Sequence, residues 1–247
     1  MVFLLAVAAY RGPMPVPAAI SRCQALLMEA GTPVWESFIL PPLAAVEAMD
    51  GRFDDAREHL EEARLARKEF ADTGTIVTSW SALAGEVELL AGDAERAEEI
   101  LSTSCDALRT AGAAEWLATN TAMLAEAQYR QGRYVEALAS SGAALAVAPP
   151  GHLTSRAVAW RVRAKALARA GRLREAESLA ARTLELLAST DVLDEQAEAL
   201  AASAEVHALA GATGEAAEDW RAALAVFEQK GNVVSAERVR AASSAST

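Results

Sequence analysis

The chain has 247 residues, 52% of them hydrophobic and only 5% aromatic, with a formal net charge of −11. That acidic balance opposes general binding to a phosphate backbone, which calls for a basic face and a high isoelectric point, and it repels anionic membrane surfaces. Alanine supplies much of the apolar fraction and leucine most of the larger apolar volume, a mixture that favours helices packed at short distance. No β-branched run alternates over strand length, so no strand is expected.

In chain order, the first element is the apolar run Met1–Tyr10. It is too short to span a bilayer, which takes about twenty residues, and it lacks the positive start of a secretory leader. It reads as a core helix. Further helices are expected near 16–30, 34–49, 53–70, 75–91, 94–111, 113–131, 134–147, 153–170, 173–188, 192–210, 214–230 and 232–242. Pro41-Pro42 falls inside the third segment. A proline in a helix interior costs about 3 kcal/mol, so a kink or a late helix start is expected there. The tail from Ser243 to Thr247 is small and polar and is expected to fray. No other stretch approaches a transmembrane span, and a cytoplasmic chain is expected. Cys23 and Cys105 show neither CxxC spacing nor a histidine cluster. They read as buried free thiols rather than zinc ligands.

One pattern recurs five times, a Gly followed five positions later by an Ala: Gly51 and Ala56, Gly92 and Ala97, Gly132 and Ala137, Gly171 and Ala176, Gly211 and Ala216. The glycine spacings are 41, 40, 39 and 40. The glycine ends one helix in a left-handed cap. The alanine lies in the next helix, where its small side chain lets a paired helix approach. Small residues also stand seven positions before each glycine, at Ala44, Gly85, Ala125, Ala164 and Ala204, which supplies the other half of that contact. The architecture expected is all-α: a solenoid of helix hairpins wound as a right-handed superhelix. Residues 1–33 would form an N-terminal capping or half repeat, 34–232 five repeats, and 233–247 a capping helix with its tail.

These Gly and Ala placements resemble the tetratricopeptide repeat, and Pro149 falls where that repeat ends its second helix. The period of about 40 exceeds the usual 34. It is similar to the sensor regions of large bacterial signal-transduction ATPases and of maltose-regulator-type transcription activators. More narrowly, several stretches resemble the C-terminal repeat region of bacterial ATPase-containing regulators, some of which carry an adenylate-cyclase-like domain. They are Tyr10-Arg11-Gly12-Pro13 with Val16-Pro17 and Ile20-Ser21-Arg22-Cys23, Gly85-Glu86-Val87-Glu88-Leu89-Leu90-Ala91-Gly92, Trp160-Arg161-Val162-Arg163-Ala164-Lys165, and Lys230-Gly231-Asn232-Val233-Val234. The resemblance covers nearly the whole chain. It implies a non-catalytic protein-interaction or sensor module of a bacterial signalling or transcription-regulatory system. The catalytic and nucleotide-binding parts of such regulators would lie upstream. Gly12 itself resembles a repeat glycine. The apolar first segment then reads either as a cap tucked along the core or as the trace of a longer regulator.

No chemistry is visible in the motifs. GxxxxGK[ST], GxSxG and HExxH are absent, so no catalytic residue, cofactor or metal is expected. His59, His152 and His207 are far apart and read as surface or helix-packing residues. Asp54-Asp55 and Glu61-Glu62 read as solvated helix faces. Trp35, Trp80, Trp116 and Trp160, near the starts of first helices, and Trp220, in a second helix, read as packing residues, with some flooring a groove in the alternative. One stripe stands out: Arg161, Lys165 and Arg169, four apart, share one face of a helix expected to line the concave surface. Glu126, Tyr129 and Arg130 of the preceding unit form the neighbouring wall. The stripe would capture an acidic peptide, a carboxylate ligand or a phosphate. The alternative is a charged face paired with Glu126 or Glu86. The expected partner is a protein or peptide, with a small-molecule effector in the concave groove as the second reading, and neither nucleic acid nor membrane.

Overall fold

A computed structural model of the chain describes residues 2–70 and 77–245. Thirteen α-helices are found among them: α1 (Val2–Arg11), α2 (Val16–Ala30), α3 (Pro33–Met49), α4 (Phe53–Phe70), α5 (Val77–Ala91), α6 (Ala94–Thr110), α7 (Ala114–Arg130), α8 (Tyr134–Val147), α9 (Leu153–Arg169), α10 (Leu173–Leu187), α11 (Leu193–Leu209), α12 (Thr213–Lys230) and α13 (Val233–Ala245). No strand occurs among the described residues. The expected start of the fifth helix at 75 lies outside the described residues, and so does the end of the tail. Most other boundaries fall within a residue of expectation. The exception is α13, which runs past 242 to Ala245 with Ser244 Oγ bonded to the Arg240 carbonyl at 2.9 Å.

The double proline starts no helix. α3 is continuous from Pro33, with Thr32 Oγ1 accepting from Trp35 N at its start and Pro41 and Pro42 in its interior. Pro41 has no N–H to give the carbonyl four residues back. Arg67 of α4 takes that place: its Nη2 donates to Ser37 O at 2.7 Å while its guanidinium lies 4.8 Å over the Phe38 ring. Burial lowers the Arg67 pKa to about 10. A side chain thirty residues away in sequence thus fills the gap that the local pattern leaves.

All five repeat glycines have positive φ, between 75° and 83°. At Gly132 the next amide, Arg133 N, returns to Gln128 O at 2.9 Å, and Gly132 N reaches Tyr129 O at 2.9 Å. This paired return closes the helix end in a conformation that a β-carbon would strain. The same pair of bonds recurs at the other four glycines. Gly12 differs: it is not among the positive-φ glycines, and its N–H continues the helical pattern to Ala8 O. Its helix is ended by another device, described below.

The five repeat alanines are buried, none more than 3% exposed, and Ala44, Ala125, Ala164 and Ala204 are at 0%. At Gly85 a β-carbon would stand 2.7 Å from Leu101, so the hairpin α5–α6 is closed as far as backbone allows. Adding volume at such a contact typically costs about 1–3 kcal/mol. Ala137→Leu is therefore expected to lower the melting temperature by about 3–10 °C, and an unchanged melt would show that the α7–α8 contact can yield.

First and second helices differ in how much they bury. α10 buries one stripe, Ala176, Ala180, Thr183 and Leu187. α9 buries residues on nearly every side, from Ser155 to Ala168. The reason is position: α3, α5, α7, α9 and α11 pack side by side as an inner wall, and each is backed by second helices. The partnership Glu47–His59 at 2.7 Å returns with exchanged roles as His207–Asp219 at 3.0 Å, so the same contact recurs 160 residues on, four periods later.

The stack also closes on itself. α13 packs against α3. The Lys230 ammonium at the end of α12 is fully buried and donates to three carbonyls at the end of α1 and just beyond it: Tyr10 O at 2.7 Å, Gly12 O at 2.7 Å and Met14 O at 2.9 Å. This cation ends α1 where a left-handed glycine ends the repeat helices.

Candidate functional site

The inner wall encloses a run of neighbouring cavities that share lining residues. At one end a cavity of about 210 Å³ is lined by Val7, Phe38, Pro41, Pro42, Leu83 and Trp116, with Glu115, Thr119 and His152 at its edge. Tyr10, Arg11 and Thr154 connect it to a narrow waist of about 70 Å³. Glu126, Arg130 and Glu198 connect the waist to a second cavity of about 210 Å³ that contains Tyr129, Lys165, Ala201, Ala202, Trp220, Arg238 and Val239. Glu205, Trp220 and Ala242 lead on to a wider groove of about 780 Å³ lined by Arg169, Leu209, Thr213 and Ala217. The result is an inner channel with an aromatic end, a charged waist and an amphipathic mouth.

All six residues singled out in the sequence reach this channel: Arg161 and Glu126 at the waist, Arg130 between waist and mouth, Tyr129 and Lys165 beyond it, and Arg169 at the mouth. The cations of the stripe are not free, however. Arg161 Nη1 donates to Glu195 at 2.7 Å. Lys165 Nζ donates to both Glu126 oxygens at 3.0 Å and lies 4.4 Å over the Tyr129 ring. Arg169 donates to Glu205 at 2.6 Å and to Tyr129 Oη at 3.2 Å, and Tyr129 in turn donates to Glu205. Arg130 donates to Glu126 at 2.9 Å and to Leu89 O at 2.6 Å. An unpaired basic face awaiting an acidic partner is thus not what the fold presents. The alternative, pairing with Glu126, is what Lys165 does, because neighbouring first helices bring residues one period apart into register.

Electrostatics follow the pairing. Burial would raise the Glu126 pKa, but Lys165, Arg130 and Arg161 outweigh it and hold the carboxyl well below its ordinary range. Glu198, opposed in the same way by Arg238 and Arg161, falls to about 2. Glu86 and Asp194 go the other way. Burial lifts Glu86 to about 7 despite Arg11 nearby and its 2.5 Å bond from the Tyr10 hydroxyl. Burial likewise lifts Asp194 to about 6 despite its bond from Asn232 Nδ2 at 3.0 Å.

Several channel residues escape a reading of the sequence alone: Tyr10, Arg11, Asp194, Glu195, Glu198, Glu205 and Arg238; Glu86 entered it only as an alternative partner of the stripe. A signal for some of them is present. Glu86, Glu126, Lys165 and Glu205 each stand six before a repeat glycine, so one inward register position carries a charge in four of five units. The stretches that carry the family resemblance also converge here. Tyr10 and Arg11, Glu86, Arg161 and Asn232 line one waist, with Lys165 beside it and Lys230 closing the ring.

The tryptophans divide. Trp160 is buried between the Arg156 and Arg182 guanidinium groups, 4.9 and 4.6 Å from its ring. Trp80 donates to Leu60 O at 2.8 Å. Trp116 and Trp220 line channel cavities, and Trp35 is 48% exposed. His59, His152 and His207 each face a carboxylate. Cys23 and Cys105 are buried free thiols. Among the described residues no cluster of His, Cys, Asp or Glu is arranged to hold a metal, and no helix is long and apolar enough to cross a membrane.

Fold and channel together define a tetratricopeptide-type helical solenoid closed around an inner channel. No protein-family model matches the chain, and no curated protein matches it by sequence. Among solved structures it is similar to a signal-transduction ATPase with numerous domains carrying a tetratricopeptide repeat sensor, from Pyrococcus horikoshii, at 18% identity and a TM-score of 0.61 over 92% of this chain and 34% of that one. It is also similar to a Rap protein complexed with competence and sporulation factor, at 12% identity and a TM-score of 0.65 over 94% of this chain and 72% of that one. A third is NprR in complex with its cognate peptide NprX, at 13% identity and 0.64 over 89% and 66% of the respective chains. The chain therefore spans about a third of the length of the Pyrococcus ATPase. The likeness is one of fold.

Proposed function

We propose that the chain is a non-catalytic sensor module that binds a peptide, or an extended segment of a protein, in its inner channel, as part of a bacterial signalling or transcription-regulatory system. The observation that carries this reading is the channel itself: a row of cavities walled by successive first helices, apolar at one end and lined with hydrogen-bonding charged side chains along the rest. An extended peptide matches that shape, with side chains for the apolar end and backbone groups for the polar wall. Glu126, Tyr129, Arg130, Lys165 and Arg169 form the wall it would touch beyond the waist, and Arg161 the waist. The similar folds of NprR with its peptide and of a Rap protein with its factor support the same use of the architecture. Because the stripe is already neutralised by carboxylates, acidity of the partner is not part of this proposal.

A pool of synthetic pentapeptides, incubated with the chain and separated by gel filtration, tests the reading. A subset should co-elute, and Ala202→Phe, which fills the cavity beside Trp220, should abolish retention while leaving the fold intact. Retention of no peptide, or equal retention by the variant, would refute it. The aromatic end supports a second reading, a small-molecule effector held by Phe38, Pro41, Pro42, Leu83 and Trp116. In that case a metabolite panel, rather than the pool, would raise the melting temperature.

A further inference from the structure

Positive charge is unevenly shared around the channel waist, because five cations bond to only three of its carboxylates. Five carboxylates line it: Glu86, Glu126, Asp194, Glu195 and Glu198. Three of these have cationic partners within bonding distance: Glu126 has Lys165 and Arg130, Glu195 has Arg11 and Arg161, and Glu198 has Arg238. Among the described residues, Glu86 and Asp194 have only neutral donors, the Tyr10 hydroxyl and the Asn232 amide. A second, independent observation comes from α13. Ser235 is 0% exposed and lines the same cavity, yet its hydroxyl has no hydrogen-bond partner, and neither does Asp194 Oδ2. Arg161 Nε, a donor on the same lining, is unpaired as well. Buried polar atoms are ordinarily satisfied, and the two unpaired acceptors, Asp194 Oδ2 and Ser235 Oγ, are the place to look for a missing donor.

We propose that the waist is a binding site for a primary ammonium group, held between the Glu86 and Asp194 carboxylates with the Ser235 hydroxyl as a further acceptor. The inference rests on the peptide-channel reading, in which that group is a lysine side chain or the amino terminus of the bound peptide. An ammonium supplies three donors and one positive charge in a volume that a cavity of about 70 Å³ can hold. It meets both needs at once: the unpaired acceptors gain donors, and the two carboxylates, which have Arg11 and Lys230 nearby but not bonded to them, gain a bonded cation. The raised pKa values of Glu86 and Asp194 report the same deficit, since each carboxyl is easier to protonate than to leave charged without a partner. Free small amines share this chemistry and are separated from peptides by the test.

The full chain is melted in methylammonium chloride, with sodium chloride and tetramethylammonium chloride at equal ionic strength as references. Methylammonium fits the waist and donates; tetramethylammonium has no N–H. Methylammonium should raise the melting temperature above both references, because a ligand bound only by the folded state stabilises it. Glu86→Gln and Asp194→Asn keep the Tyr10 and Asn232 bonds and remove the surplus charge. Each should melt no lower than the parent and need at least about tenfold more methylammonium for the same shift. A parent melt that responds no more to methylammonium than to sodium overturns the proposal, and the waist then holds water only. So does a response that survives both substitutions. The peptide pool supplies the second arm. Retained sequences should be enriched in lysine or a free amino terminus, and acetylating those amines should weaken them by at least about tenfold. Putrescine outcompeting every peptide would assign the same ammonium site to a free amine. Peptides retained without regard to acetylation would leave the channel reading standing and overturn the ammonium site alone.

Discussion

Lys230→Met should open the ring. The Lys230 ammonium is fully buried and carries three hydrogen bonds, at 2.7, 2.7 and 2.9 Å, to carbonyls that have no other device to end α1. Methionine keeps the volume and removes every donor. Each buried carbonyl left without a partner costs about 1–3 kcal/mol. Rehydration offsets part of this, because residues 11–14 are only partly buried. A net loss of about 3 kcal/mol is expected, together with a rise in the radius measured by solution scattering and new protease cleavage around Pro13–Pro15. Lys230→Arg should not rescue it. A planar guanidinium cannot point its donors at three converging carbonyls as an ammonium can. A Lys230→Met chain that melts and scatters like the parent would show that the inner wall alone holds α1 in place.

Lys165→Met is expected to have an effect of similar size. Lys165 and Glu126 are 8% and 2% exposed and bond at 3.0 Å. Removing one member of a buried pair typically costs about 3–5 kcal/mol, because the other charge is stranded. Arg130 still reaches Glu126, so the lower end applies at neutral pH. The pH dependence tests the cause. The Glu126 pKa is depressed in the folded chain, so its contribution is present above the unfolded carboxylate pKa and is lost as pH falls through the folded value. Without Lys165 the carboxyl protonates more readily on folding. The gap between variant and parent should therefore narrow steadily as pH drops below about 4.5. The double substitution Lys165→Met with Glu126→Leu should recover much of the loss, since an apolar pair of similar volume leaves no charge to solvate. A gap that stays constant from pH 7 to pH 3 would mean that Lys165 acts through packing on Tyr129 rather than through the ion pair.

Much of this molecule was determined locally and so was readable in one dimension. The glycine at each first-helix end, the alanine five residues on and the small residue seven residues back act within one hairpin, between segments a few residues apart in sequence. Each therefore repeats with the period and announces itself. What lies on the inner face is another matter. Arg161, Lys165 and Arg169 could be placed on one helix face, with Glu126 as an alternative partner, but not the pairing of Arg161 with Glu195 and of Arg169 with Glu205, which depends on how neighbouring first helices align. The charge six residues before the glycine was the readable trace of that face. Three features have no local signature. Arg67 replaces the bond lost at Pro41, Lys230 reaches the end of α1 across 220 residues, and Glu86 and Asp194 are left short of a cation. These follow from the curvature of the whole stack. Curvature is the sum of small rotations between successive hairpins, and only when enough of them accumulate does the last helix meet the first and enclose a channel.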